Sequence, residues 1–201
     1  WVCSPNNPSG NAYSQEQLIS IVQRFPDQIV VVDEAYIDFS SIPSMTSQLD
    51  KFDNLIVLQT FSKAWGCAAM RLGIAMASAK IISFFNNVKY PYNVNELTQN
   101  QAIKVLNDVK RKERHVEEIL SQREILRELL LTLPCVKKIY PSDANFLLVK
   151  VSDANGTYKY LQSKGIIVRN RNKVQLCENC LRITVGTPEE NAELFEAMKA
   201  L

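Results

Sequence analysis

The sequence predicts an α/β protein with a mostly parallel sheet, followed by a smaller α+β unit. In the first half of the chain, short apolar runs rich in branched residues alternate with helical patterns, which is typical of strands buried in a parallel sheet. In the second half, strand and helix patterns are mixed after one long helical stretch. The change of pattern indicates two structural units.

The first half predicts one helix and three strands. The helix covers residues 14–25, where Ser14 is a candidate N-cap, Gln17 completes a capping box and apolar residues recur at helical spacing. The strands are the apolar runs IVVV, LIVLQ and LGIAM at residues 29–32, 55–59 and 72–76. Because these runs are continuous, we expect the strands to be buried on both faces.

The second half begins with a helical stretch over residues 96–133, with a bend or break near residues 110–114. Pro134 ends it, because proline cannot continue a helix. Further strands are predicted at residues 136–140, 145–150, 166–169 and 181–185, and further helices near 156–163 and from Pro188. We expect residues 1–110 to be the C-terminal part of a large α/β domain and residues 111–201 to be a small α+β domain.

Composition and charge exclude several classes of function. The 201 residues are 46% hydrophobic and 22% charged, which is ordinary for a globular protein with a substantial core. The net charge of +2, from 23 basic and 21 acidic residues, favours neither nucleic acid nor an anionic membrane as a partner. No apolar run reaches the roughly 18 residues of a membrane span.

The cysteines and the histidine argue against disulfide, metal and histidine chemistry. Five cysteines with irregular spacing argue against a disulfide framework and favour a reducing compartment, so the cytoplasm is the expected location. Cys177 and Cys180 form a single CxxC pair, and a zinc site would need two more ligands, so no metal is expected. His115 is the one histidine and lies in the charged run KRKERHVEE, which is typical of a solvated helix face.

Polar residues follow the first two predicted strands at the point where each strand ends. They are Asp33, Glu34 and Tyr36 after IVVV, and Thr60, Ser62 and Lys63 after LIVLQ. Ligands of open α/β sheets bind beyond the carboxyl ends of the strands, so we expect these side chains to share a site. The connecting stretch QTFSKAWGCAAMRLG adds Arg71 and contains no anion, and the turn SPNNPSG presents Asn7. Each feature alone is common in caps and loops; their joint occurrence indicates function.

Pyridoxal 5'-phosphate (PLP) fits this set of groups. Its aldehyde requires a lysine for a Schiff base, which is the role of Lys63. Its ring withdraws electrons while the ring nitrogen is protonated, and Asp33 is the carboxylate expected to face that nitrogen. The remaining candidates are Tyr36 and Asn7 at the ring oxygen, and Arg71, Ser62 and Thr60 at the phosphate.

The segments SPNNPSG, VVDEAY and TFSKAWGCAAMRLG resemble the PLP-dependent aminotransferases of fold type I, and most closely the histidinol-phosphate branch. In the second half, SDANFLLVK and CLRITVGTPEEN resemble the small domain of that family. The resemblance implies the same roles for the seven residues above, with Lys63 as the catalytic residue. It also implies a homodimer that acts in histidine biosynthesis.

The resemblance further implies how the second half binds the substrate. Arg182 is matched to the anion-binding arginine of the family, and Arg169 to a contact for the substrate phosphate. Asn145 is a further candidate for the substrate pocket, and Arg171, two residues from Arg169, remains open as a substitute for it. From the residues alone, a salt bridge to Glu178 or Glu189, or simple exposure, is the favoured explanation of Arg169.

Three other functions remain open at the level of sequence. A fold type I decarboxylase acting on a phosphorylated amino acid such as threonine phosphate needs the same lysine and arginines. An aromatic amino acid aminotransferase would have an apolar pocket in place of the second anion contact. A non-enzymatic binding module would form no covalent bond between Lys63 and the cofactor. Family members carry a phosphate-binding loop, an aromatic residue stacked on the ring and a tyrosine that reaches the partner subunit, none of which can be located here. We therefore expect the chain to be the C-terminal portion of the enzyme and to be inactive by itself.

Overall fold

A computed structural model describes all 201 residues, which divide into two compact units. The first unit comprises residues 1–6 and 12–116, and the second comprises residues 7–11 and 117–201. The main division falls between Val116 and Glu117, inside a helix, whereas the boundary placed from the sequence lies between residues 110 and 111.

The first unit is built on a four-stranded sheet with the order β1-β2-β3-β4. Its elements are β1 (Val2–Cys3), α1 (Gln15–Arg24), β2 (Val30–Asp33), β3 (Leu55–Thr60), β4 (Gly73–Ala77), α2 (Ala79–Val88), α3 (Glu96–Leu106) and the start of α4 (Val109–Leu131). Strands β1, β2 and β3 are parallel, and β4 is antiparallel to β3. The mostly parallel sheet predicted from the sequence is therefore confirmed for the strands before β4.

Helix α1 begins and packs as the sequence predicts. The Ser14 hydroxyl accepts a hydrogen bond from the Gln17 backbone N–H at 3.3 Å, and the Gln17 side chain accepts one from the Ser14 N–H at 2.9 Å. This capping box satisfies two amide groups that have no partner within the helix. Leu18 and Val22 are buried in a cluster with Val32 of β2, so the apolar face of the helix covers the sheet.

Strand β4 contradicts the expectation of burial on both faces. Gly73, Ile74 and Ala75 are exposed, although the run is continuously apolar. The residues between Thr60 and Gly73 contain only a short 3-10 turn, so the chain returns beside β3 in the antiparallel direction and β4 becomes the edge strand. An apolar run does not reveal how many neighbours cover a strand.

The helical stretch predicted over residues 96–133 is two helices, and α2 is a helix that the sequence analysis missed. The break lies at Asn107 and Asp108, ahead of the predicted position, because the Asp108 carboxylate accepts a hydrogen bond from the Arg111 N–H at 3.2 Å at the start of α4. In α2 the N-cap residue Ser78 makes no side-chain capping bond, and its hydroxyl instead donates to the Asp53 carbonyl at 3.3 Å. No helix of the protein is both long enough and apolar enough to cross a membrane.

The second unit contains an antiparallel sheet with the order β5-β6-β8-β7. Its elements are β5 (Val136–Ile139), β6 (Phe146–Val151), α5 (Ala154–Ser163), β7 (Arg169–Asn170), β8 (Cys180–Thr184) and α6 (Pro188–Lys199). Leu147 and Ile183 belong to a core with Leu126 and Leu130 of α4, so one face of this sheet is covered by helices. The strand predicted at residues 166–169 is shorter than expected, since only Arg169 of that run lies in β7.

Replacing Leu130 by Ala should lower the free energy of unfolding by about 2–5 kcal/mol, because the fully buried side chain leaves a cavity in the core of the second unit. Leu131 is the matched control, since it is 47% exposed and its replacement by Ala should cost about 0.5 kcal/mol or less. Chemical denaturation followed by circular dichroism measures both values. Equal losses in the two variants would contradict this assignment of the core.

Candidate active site

The loop between β3 and β4 is held by two buried residues. Phe61 and Ala64 are almost fully buried and anchor residues 61–72 on the first unit. The Phe61 N–H donates to the Leu72 carbonyl at 3.2 Å, and the Cys67 N–H donates to the Phe61 carbonyl at 2.9 Å. These bonds fold the loop back beside the end of β3. Ser62 and Lys63, which lie between the two anchors, are half-buried.

Lys63 lies over the ring of Tyr36. Its Nζ atom is 5.1 Å from the ring centroid, within the range of a cation–π interaction. None of the four ion pairs in the protein includes Lys63. The side chain of Lys63 is therefore oriented by contact with an aromatic face and not by an ion pair with a carboxylate.

Asp33 and Tyr36 lie where β2 ends, next to the end of β3. One Asp33 carboxylate oxygen accepts a hydrogen bond from the Ala35 N–H at 3.1 Å, which orients the half-buried side chain. The Asp33 backbone pairs with Cys3 of β1 on one side and with Leu58 of β3 on the other. Because the three strands are parallel, Asp33 and the residues after Thr60 emerge at the same edge of the sheet.

The predicted phosphate contacts are also on this loop, and part of their hydrogen-bonding capacity stabilises it. The Thr60 hydroxyl donates to the Leu72 carbonyl at 3.2 Å and accepts from the Ser62 N–H at 3.0 Å. Arg71 has a left-handed backbone with φ of 52°, and one of its guanidinium nitrogens donates to the Ala68 carbonyl at 2.9 Å. The Arg71 side chain remains exposed, so its other nitrogens can bind an anion.

The second unit brings the other predicted arginines together. Arg169 of β7 is directly opposite Arg182 of β8, so the two side chains leave the same face of the sheet. The Arg182 guanidinium lies 4.9 Å from the Phe146 ring centroid and donates to the Asn7 side-chain oxygen at 2.9 Å. Arg169 is exposed. Two guanidinium groups on one face are suited to a dianion.

The candidate residues thus fall into two groups. The first unit holds Asp33, Tyr36, Thr60, Ser62, Lys63 and Arg71, and the second holds Asn7, Asn145, Arg169 and Arg182. Asn145 directly precedes β6, and its carbonyl accepts from the Val185 N–H at 3.0 Å. Asn7 was expected at the ring oxygen of the cofactor together with Tyr36, whereas the observed partner of its side chain is Arg182. No sequence signal links Asn7 to Arg182.

Comparison with known proteins identifies the family. A family model described as "Aminotransferase class I and II" matches residues 1–198. The chain belongs to the class I and II aminotransferases. The resemblance noted in the sequence is therefore confirmed at the level of the family.

Curated class I and II aminotransferases include close relatives of this chain. It is 54% identical over 199 residues to "Histidinol-phosphate aminotransferase" of Parabacteroides distasonis, a match that covers 99% of the chain and 57% of the relative. The chain thus spans somewhat more than half the length of the curated relatives it matches.

Solved structures of this family share the fold of the chain. The histidinol-phosphate aminotransferase of Clostridium acetobutylicum superposes with a TM-score of 0.93 at 22% identity, covering 99% of this chain and 62% of that one. The enzyme of Sinorhizobium meliloti, solved in complex with pyridoxal-5'-phosphate, gives 0.88 at 24% identity, covering 98% and 55%. The predicted α/β architecture of PLP fold type I is confirmed by these neighbours.

Replacing Asp33 by Asn should make the Cys3 thiol more reactive. Burial, and then the negative charge of Asp33, raise the pKa of Cys3 above its usual value, so removal of that charge should lower it and increase the thiolate fraction at a given pH. The pH midpoint of Cys3 alkylation by iodoacetamide, measured by peptide mass spectrometry, should move to lower pH.

Asp38→Asn is the control for this measurement, because Asp38 pairs with Lys112 at 2.9 Å and has no effect on Cys3. That variant should leave the alkylation midpoint of Cys3 in place. An unchanged midpoint in Asp33→Asn would show that the Asp33 carboxylate is not charged beside Cys3.

Proposed function

We propose that the whole protein transfers an amino group from histidinol phosphate to 2-oxoglutarate, giving imidazole acetol phosphate and glutamate, as a PLP-dependent enzyme of histidine biosynthesis. The observation that carries this proposal is the 54% identity, over nearly the whole chain, to a relative named for that activity. In this proposal the enzyme is a homodimer, as the family resemblance implies, and it is located in the cytoplasm, as the free cysteines favour. A decarboxylase is less well supported, because the curated relatives cited here are named for transfer.

The side chains at the end of β2 and after β3 fit PLP. When bound, the cofactor supplies an aldehyde that bonds amines and a ring that withdraws electrons from the substrate carbon. The fit rests on the chemistry of the donor set in the first unit, which offers an amine, a carboxylate, a phenol and a guanidinium. Lys63 Nζ belongs to no ion pair, so no carboxylate competes for the amine that would bond the aldehyde.

Each of these side chains has a separate task in the proposal. Asp33 would hold a proton on the ring nitrogen through its carboxylate, and Tyr36 would donate its hydroxyl to the ring oxygen with Asn7 as second donor. Arg71, Ser62 and Thr60 would bind the phosphate. Lys63 would hold the cofactor until the substrate amine displaces it. The free Lys63 amine would then accept the proton from the substrate carbon and return a proton at the aldehyde carbon of the cofactor.

Arg169 and Arg182 would orient the substrate. Their opposed positions on β7 and β8 place two cations on one face, which suits the dianionic phosphate of histidinol phosphate and, in the other half-reaction, the two carboxylates of 2-oxoglutarate or glutamate. Asn145, directly before β6, would contribute a polar contact beside them. The arginines would bind and the lysine would move protons, so binding and chemistry are assigned to different residues.

Borohydride reduction of the whole protein with PLP should attach a pyridoxyl group to the Lys63 peptide, detected by mass mapping. Lys63→Ala should lose the label, because its side chain no longer supplies the amine. Lys112→Arg is the matched control, since Lys112 lies over Trp65 and pairs with Asp38, and it should keep the label on Lys63. Labelling of a different lysine in the wild-type protein would contradict the assignment.

Replacing Arg169 by Ala should raise KM for histidinol phosphate by about 10-fold to 100-fold, because a charge-assisted hydrogen bond is worth about 1.5–3 kcal/mol. The rate of glutamate formation from histidinol phosphate and 2-oxoglutarate is the measurement. Arg171→Ala should have little effect if Arg169 alone binds the phosphate.

The two alternative activities, aromatic amino acid transfer and decarboxylation, predict different outcomes for these measurements. An unchanged KM in Arg169→Ala together with high activity on phenylalanine would support the aromatic aminotransferase instead. Release of carbon dioxide from a phosphorylated amino acid without glutamate would support the decarboxylase.

A further inference from the structure

Glu34 is a buried carboxylate with no counter-ion. It is only 1% exposed and belongs to none of the ion pairs of the protein. One of its carboxylate oxygens accepts from the Met45 N–H at 2.6 Å, and the other accepts from the Ser44 hydroxyl at 2.6 Å and the Gln59 amide at 2.9 Å. A buried charged group is stable only when such donors replace its lost hydration, so these three bonds are a condition of its burial.

The three donors come from segments that are distant in sequence. Glu34 directly follows β2, Gln59 is the residue before the last one of β3, and Ser44 is the N-cap of a short 3-10 turn at Met45–Gln48. The Glu34 backbone N–H also donates to the Leu58 carbonyl at 2.8 Å. One side chain therefore connects the carboxyl ends of β2 and β3 and the turn beside them.

The neighbours of this connection are residues of the candidate site. Asp33 precedes Glu34, and Thr60 follows Gln59 and leads into the Lys63 loop. Successive residues of an extended chain alternate between its two sides, so Glu34 can be buried while Asp33 remains on the other side. Any change in the spacing of the two strand ends would move Asp33 relative to the Lys63 loop.

We propose that Glu34 is a positioning residue of the reaction: its three hydrogen bonds fix Asp33 and the Lys63 loop relative to each other. This inference rests on the proposed function, because the spacing matters only if both side chains act on one cofactor. A purely structural role would affect stability alone. A positioning role also affects the protonation behaviour of the bound cofactor and the rate of the chemical step.

Asn54 provides a matched comparison at the opposite end of β3. Its side-chain amide donates to the carbonyls of Val22, Phe25 and Gln28 at 3.3, 2.9 and 3.1 Å. Like Glu34, it makes three hydrogen bonds that join a strand end to neighbouring segments, but it directly precedes Leu55, at the end of the strand remote from Lys63.

The experiment compares Glu34→Ala with Asn54→Ala in the whole protein. Both should lower Tm without cofactor. Only Glu34→Ala should weaken PLP binding in a fluorescence titration and shift the pH midpoint of the cofactor absorbance. It should also lower kcat, on the order of 10-fold to 100-fold, with little change in KM, because the reacting groups are misplaced. A lower Tm with the same absorbance midpoint and the same kcat as Asn54→Ala would overturn the proposal.

Two further variants cover the case in which Glu34→Ala does not fold. Gln59→Met removes a single hydrogen-bond donor. It should shift the pH midpoint of the cofactor absorbance and lower kcat in the same direction as Glu34→Ala, but by less. No shift in this variant would overturn the proposal. Glu34→Gln combined with Gln59→Glu restores a hydrogen bond between the two positions and should recover kcat in part. If the wild-type protein is not labelled at Lys63 by borohydride, the proposed function itself has failed, which is a separate result.

Discussion

The parallel pairing of β2 with β3 is the interaction on which the candidate active site depends. Val32 is opposite Val57, both are fully buried, and the same register places Asp33 opposite Leu58. A shift of one residue would turn these valines out of the core, so their burial opposes it. The register that the core requires therefore also determines that the end of β2 and the loop containing Lys63 meet at one edge of the sheet.

The second unit contains a pair of like charges that opposes folding. Like charges directly opposite on neighbouring strands are destabilising, and Arg169 and Arg182 are such a pair. Arg182 is compensated by the Phe146 ring and the Asn7 oxygen, whereas Arg169 remains exposed to solvent. In the proposed function a bound dianion would remove the repulsion, so the arrangement would be more favourable with substrate than without it. Folding alone does not favour such a pair, whereas the proposed substrate binding would account for it.

Local patterns in the sequence were sufficient to predict two kinds of element. These are elements whose partners are near in sequence and strands that are well buried. The capping box at Ser14 and the branched runs of β2 and β3 predicted their elements correctly. The exposure of β4 could not be predicted, because it depends on which segments cover that strand. The bond between Asn7 and Arg182 joins residues 175 positions apart, and no local pattern encodes such a contact. The candidate residues could therefore be named from residue types, and their roles remain predictions, while the contacts that support them required the structure.

The adjacent carboxylates Asp33 and Glu34 show how strand geometry separates two roles. Two carboxylates on the same face would repel each other, and a cation at the ring nitrogen would interact with both. The period of two in an extended chain sends them to opposite sides, and three donors hold the Glu34 carboxylate in the interior. In the proposed function, Asp33 is then the one of the two carboxylates that would face the cofactor. A helix would turn neighbouring side chains by only about 100 degrees and would not separate them as well. The end of a buried strand is thus a physically suitable place for a single directed negative charge.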